Sequence, residues 1–169
     1  MVKLIENTDA FMPDDVRALY EDAFPVEERR LWNPRPAGLR LHEAYDDSGV
    51  FKGFITTWLL PGDVTYVEHL AIHPDMRGHG VGGEIIDALP GKVILEVELP
   101  LTHEAQRRIG FYERHGFVAA TECEYVQPPY APGLPSVPML LMCRGDVDAE
   151  MTAHLLHTMV YGCEGQLKL

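Results

Sequence analysis

The chain has 169 residues, 46% apolar and 24% charged, a composition that makes one globular domain with a full core and excludes a disordered or fibrous chain. Its formal charge is −12, which argues against a general nucleic-acid binder and is compatible with a cationic substrate, although solubility alone explains it as well. Apolar runs such as VILEV (93–97) and MLLMC (139–143) fall far short of a bilayer span, and MVKLIENTDA lacks the apolar core of a secretory signal, so a cytoplasmic location without membrane contact is expected.

VKLIE (2–6) alternates and predicts a first strand. Pro13-Asp14-Asp15 carries helix-start chemistry for VRALYEDAF (16–24), with Val16, Leu19, Tyr20 and Ala23 on one face. FPVEERRLWNPRP (24–36) reads as a helical turn inside a loop. LRLHEAYD (39–46) and VFKGFITTWLL (50–60) flank Asp47-Ser48-Gly49 as a hairpin, and Pro61-Gly62-Asp63 turns the chain into the strand VTYVEHLAI (64–72). A glycine loop then leads to the helix VGGEIIDAL (81–89), the β-branched strand KVILEVEL (92–99) and the helix EAQRRIGFYERHG (104–116), closed by Gly116. FVAATECEYVQ (117–127) and VPMLLMCRG (137–145) predict two strands joined by a proline-rich loop. DVDAEMTAHLLHTMVYG (146–162) predicts a last helix capped by Asp146 or Asp148. Cys123, Cys143 and Cys163 include no C-x-x-C pair, so free thiols are expected.

The run Arg77-Gly78-His79-Gly80-Val81-Gly82-Gly83 satisfies two phosphate-cradling patterns at once. Gly78, Gly80 and Gly83 fit the dinucleotide fingerprint G-x-G-x-x-G, and Glu96 or Glu98 could stand in for the acidic residue expected about 20 positions on. Arg77, Gly80 and Gly82 fit R-x-x-G-x-G, the pyrophosphate loop of acyl-coenzyme A users. Glycines let backbone approach phosphate, and a helix N-terminus offers unpaired N–H groups, so the loop alone serves either ligand. Three observations count against the dinucleotide. His73-Pro74-Asp75-Met76-Arg77 separates the loop from its strand, the chain after 116 offers strands rather than further βα units, and most strands precede the loop. NAD titration separates this remote alternative from the other.

YVEHLAIHPDMRGHGVGGEIIDAL (66–89) resembles the central motif of the GCN5-related N-acetyltransferases: a strand ending in apolar-x-Pro, then R-x-x-G-x-G, then a helix. RRIGFYERHGF (107–117) is similar to the same family's downstream helix with its Tyr and closing Gly-Phe. The resemblance implies a GNAT-like α/β fold, with a mixed, mostly antiparallel central sheet flanked by helices and strands splayed at the cofactor groove. It covers residues 1–145 as the acetyltransferase domain, with 146–169 as a C-terminal helix and tail packed on it. The implied activity is direct acetyl transfer from acetyl-coenzyme A to an amine, small-molecule or peptide, with a homodimer left open. The alternative is a non-catalytic acyl-coenzyme A-binding or sensor module.

The resemblance also implies site residues. Backbone at Leu70, Ala71 and Ile72 would pair with the pantetheine arm, and Arg77, Gly78, His79, Gly80, Val81 and Gly82 would wrap the pyrophosphate. Tyr112 would protonate the departing thiolate. Glu68 would assist deprotonation of the amine, with His69 second and Glu96 or Glu98 as competitors. Strict alternation would let only one of Glu68 and His69 face the groove. Ala105 stands where many members carry Asn, a departure around the second helix. Glu27-Glu28-Arg29-Arg30 could line the acceptor entrance, and Tyr125 and Tyr130 its opposite wall; each is otherwise a solvated run or an edge cover. His154 and His157 lack a nearby third ligand, so no metal is expected.

Overall fold

Alternating stretches and turn residues lay out the sheet. The protein, described here by a computed structural model over residues 1–32 and 34–163, begins with an antiparallel run of β1 (Lys3–Asn7), β2 (Arg40–Tyr45), β3 (Phe51–Leu60) and β4 (Val64–Ile72). The β2–β3 hairpin turns at Asp46, whose carboxylate accepts the N–H groups of Ser48 at 2.8 Å and Val50 at 3.0 Å. β5 (Lys92–Glu98) lies parallel to β4, while β6 (Val118–Ala119) and β7 (Tyr125–Gln127) both pair with β8 (Val137–Arg144), which is antiparallel to β5. The result is one mixed, mostly antiparallel sheet of eight strands.

The stretch 117–127 does not form the single strand expected from its composition. Ala120 and Cys123 stand three apart yet pack on the same core, whereas a straight strand would send them to opposite faces. The chain turns there instead, with Cys123 N–H donating to the Ala120 carbonyl at 3.2 Å, so β6 and β7 are separate.

The helices cover both faces. α1 (Asp14–Ala23) buries Val16, Leu19 and Tyr20, and its first turn carries Asp14 and Asp15 where the helix dipole favours them. α2 (Val81–Asp87) and α3 (His103–Arg114) pack on the opposite face through Ile85, Ile86 and Tyr112. α4 (Ala149–Leu155) joins α1 on the first face, burying Ala149 and Ala153. Asp148, not Asp146, caps it, accepting Met151 N–H at 3.1 Å. The helix runs on into a π-turn at Leu156–Val160, and the end of the expected tail, 164–169, lies outside the described residues. Cys123, Cys143 and Cys163 are free. No helix among the described residues is long and apolar enough to cross a membrane.

Candidate active site

The sheet opens where β4 and β5 part. Their pairing runs from Val64↔Lys92 to Val67↔Leu95; beyond that β4 stays with β3 as far as Ile72↔Gly53, and β5 stays with β8 as far as Glu98↔Met139. His73 N–H donates to Lys52 O at 2.8 Å, on the β3 side. Strand alternation therefore turns Ala71 toward β3 and directs the N–H and C=O groups of Leu70 and Ile72 to the edge that β5 has left. One of these carbonyls, that of Ile72, accepts a bond from Arg77 Nε at 3.2 Å.

The register of β4 against β3 slips between Thr57↔Val67 and Thr56↔His69, which makes Glu68 a bulge residue. The bulge overturns the expectation from strict alternation. Glu68 and His69 lie on the same face, among Trp58, Arg30, Tyr20 and Phe24, while Leu70 packs on the other face with α2 and α3.

The glycine loop sits at the far end of the opening. Pro74–Met76 forms a short 3₁₀ turn, and Gly78 and Gly80 take positive φ values of 79° and 80° on the way into α2. The first bond of that helix runs from Glu84 N–H to Gly80 O at 3.1 Å, so the N–H groups ahead of it have no helical partner. Gly83 serves packing: a Cβ there would lie 2.7 Å from His115 Cε1, whose ring is held by Asp87 through Nδ1 at 2.9 Å. At Gly82 an added Cβ would meet nothing nearer than Phe111 Cζ at 3.4 Å. The third glycine of G-x-G-x-x-G is thus explained by the helix pair rather than by a dinucleotide.

A cavity of about 1270 Å³ runs from this loop along Leu70, Ala71 and Ile72 to the carboxylates at the head of the split. Arg77, Gly78, Gly80, Val81 and Gly82 line one end, whereas His79 is exposed outside it. Tyr112 lines the middle, from α3, and burial pushes its phenol up to about 12, so it keeps its proton. Ala105, at the start of α3, is buried and its N–H is accepted by the Thr102 hydroxyl at 3.1 Å.

At the other end the acidic residues differ sharply. Arg30 grips Glu68 through Nη2 at 2.6 Å and through Nε at 3.1 Å to both oxygens, and Trp58 Nε1 adds a bond at 3.3 Å. Burial disfavours the Glu68 charge, but His69 and Arg30 outweigh it and hold the carboxyl down at about 2. Both ring nitrogens of His69 face acceptors, with Nε2 2.8 Å from Glu28 O and Nδ1 3.5 Å from Glu68 Oε2. Glu96 is different: Tyr66 and Tyr161 both donate to its Oε1, the latter at 2.7 Å, and the Tyr125 hydroxyl lies against the same carboxyl. Burial, aided by the Glu68 charge, lifts Glu96 to about 7 against the phenols' opposing effect. Glu28 is likewise lifted to about 7, by burial and then by the neighbouring Glu98, and both line the cavity.

Tyr130 forms part of the same wall, and the buried hydroxyl of Tyr125 meets the Glu96 carboxyl. At the rim of β7, His157 Nε2–H donates to Val126 O at 2.8 Å, and no group of three or more metal-ligating side chains occurs among the described residues. The roles of Arg30, Tyr66 and Tyr161 escape a reading of the sequence. The one available signal is that a carboxylate on a central strand needs a cation, and EERR is a nearby source.

The chain matches the family model described as an acetyltransferase (GNAT) domain over residues 38–119. No curated protein matches it. Among solved structures, an acetyltransferase of the GNAT family from Bacteroides thetaiotaomicron is 36% identical, with a TM-score of 0.79 over 89% of this chain and 92% of that one. Two more distant structures share the fold. A GNAT family acetyltransferase from Elizabethkingia anophelis with acetyl-CoA bound has 14% identity and a TM-score of 0.57, over 86% of this chain and 98% of that one. A variant of the spermidine N-acetyltransferase SpeG from Vibrio cholerae has 15% identity and a TM-score of 0.58, over 84% and 92%. With the split sheet, the glycine loop and a 36% identical relative along nearly its whole length, the chain belongs to the GNAT acetyltransferase family.

Proposed function

We propose that the protein transfers an acetyl group from acetyl-coenzyme A directly to an amine acceptor. The observation that carries this reading is the single cavity joining a glycine loop, a free strand edge, a protonated phenol and a near-neutral carboxyl. The thioester supplies the activated acetyl group. The loop from Arg77 to Gly82 offers backbone N–H groups to a pyrophosphate, and the free edge at Leu70 and Ile72 offers strand-like bonds to an extended amide-bearing arm. An N–H on that edge also meets the charge that develops on the carbonyl oxygen as the amine attacks. Tyr112 keeps its proton and can give it to the thiolate.

For the base, the geometry favours Glu96 over the first choice suggested by family position. Glu68, gripped by Arg30, is too weak a base, and the His69 ring is engaged by Glu28 O, the Tyr20 hydroxyl and Glu68. Glu96 lines the cavity and, lifted by burial to about 7, sits where a base for amine attack is most effective. The test is calorimetric titration with acetyl-coenzyme A, followed by thiol release across a panel of amines. Binding lost in Gly80→Glu, and thiol release lost in Glu96→Gln, are the expected results; absence of acetyl-coenzyme A binding refutes the reading.

A further inference from the structure

We propose that Tyr66 and Tyr161 are positioning residues that hold Glu96 by its Oε1 and so fix its carboxyl at the wall of the cavity, and that the C-terminal segment is thereby part of the active site. The inference rests on the reading of Glu96 as base.

The geometry is one-sided. Tyr66, from β4, and Tyr161, from beyond the last helix, both donate to Oε1 and lie 3.2 Å from each other, with the buried Tyr125 hydroxyl beside the same carboxyl. Two donors on one oxygen fix the rotation of the carboxyl.

Tyr161 reaches this position through specific backbone. The π-turn at Leu156–Val160 precedes it, Tyr161 N–H donates to Leu156 O at 3.0 Å, and Arg30 Nη2 holds Val160 O at 2.9 Å. The i→i+5 bond widens this last turn, and the helix ends with Tyr161 as its C-cap. Arg30 therefore joins the segment to β4, and the Tyr130 hydroxyl, 3.4 Å away, supports that of Tyr161 from the side. The groups facing Glu96 are Tyr66 and Glu68 from β4, Tyr125 from β7, Tyr130 from the following loop and Tyr161, with Arg30 neutralising Glu68.

The test follows the Glu96 carboxyl by ¹³C NMR in glutamate-labelled, full-length protein without added substrate, its resonance assigned by its loss in Glu96→Gln. Each phenol stabilises the charged form, so Tyr161→Phe and Tyr66→Phe should each move the titration upward by about one pH unit or more. Tyr130→Phe, whose hydroxyl meets Tyr161 and not Glu96, should leave it in place. An unmoved titration in both Tyr161→Phe and Tyr66→Phe, or an equal shift in Tyr130→Phe, overturns the inference. A wild-type Glu96 that titrates as an ordinary exposed carboxyl instead overturns the assignment of the base.

Discussion

Arg30 and Glu68, 38 residues apart in the chain, meet as a two-pronged ion pair in which the glutamate side chain is only 1% exposed. The guanidinium is packed between the rings of Trp58 and Tyr130, at 5.3 and 5.0 Å from their centroids, and reaches Val160 O. One side chain thus ties together the loop after α1, the bulge of β4 and the end of the last helix. A pair this buried holds the Glu68 carboxylate charged and fixed in place, which is why we propose Glu96 as the base.

Removing one partner should therefore cost more than removing both. Arg30→Met strands a buried carboxylate and should lose about 3–5 kcal/mol in urea unfolding, while Arg30→Met combined with Glu68→Gln should recover part of that loss. Glu68 lies at about 2 in the fold against 4.5 unpaired, so the unfolded chain binds more protons between those values. The stability it contributes is present above 4.5 and drains away as pH falls toward 2, a slope that should be weaker in Glu68→Gln. No recovery in the double variant would show that the pair is not the source of the loss.

Adjacent glycines should separate folding from binding. Gly83→Ala drives a methyl into the His115 ring and should destabilise the protein by about 1–3 kcal/mol. Gly82→Ala meets only ordinary contacts at 3.4 Å or more, but its methyl points into the gap between Phe111 and Ile72, both of which line the cavity. It should keep the melting temperature and weaken acetyl-coenzyme A binding. The same loss of stability in both variants would contradict this division.

Much of this architecture was legible in the residues because its signals are local. Alternation marks β1 to β3, the Pro61-Gly62-Asp63 turn introduces β4, β-branched residues mark β5, helical spacing marks α1 to α3, and the glycine run with Tyr112 marks a family motif. The head of the site was not legible, since it is made by long-range pairing. The bulge at Glu68 depends on how β4 registers against β3, and nothing in VTYVEHLAI announces it. Tyr66 and Tyr161 read as ordinary aromatics until the fold brings their hydroxyls to one oxygen of Glu96. Likewise, Gly83 fits a ligand pattern in one dimension and a helix contact in three.

Tyr112 offers a split between affinity and turnover. Its ring packs among Phe111 and Phe117 at centroid distances of 5.1 and 5.5 Å, contacts that Phe preserves. Tyr112→Phe should lower kcat by about 10²-fold or more, the usual weight of a general acid, and leave acetyl-coenzyme A affinity nearly unchanged. Unchanged kcat would remove the phenol from the proton path.

Glu96 should trade stability for activity, and pH exposes the trade. Its carboxyl sits at about 7 in the fold against 4.5 in an ordinary setting, chiefly through burial. Between those values the folded chain binds more protons than the unfolded one, so stability falls as pH rises from 4.5 through 7. Transfer should run the opposite way, increasing as Glu96 loses its proton near 7. No descending limb from Tyr112 is expected until far above neutrality, because that phenol holds its proton to about 12. Glu96→Gln keeps an oxygen to accept from Tyr66 and Tyr161 but never ionises. Thermal melts should show it more stable than the wild type at pH above 7, with the advantage shrinking as pH falls toward 4.5, while its transfer rate is low and flat across the same range. A stability difference that does not vary with pH would mean that Glu96 is already ionised throughout, and the neutral-range base would have to be sought at Glu28.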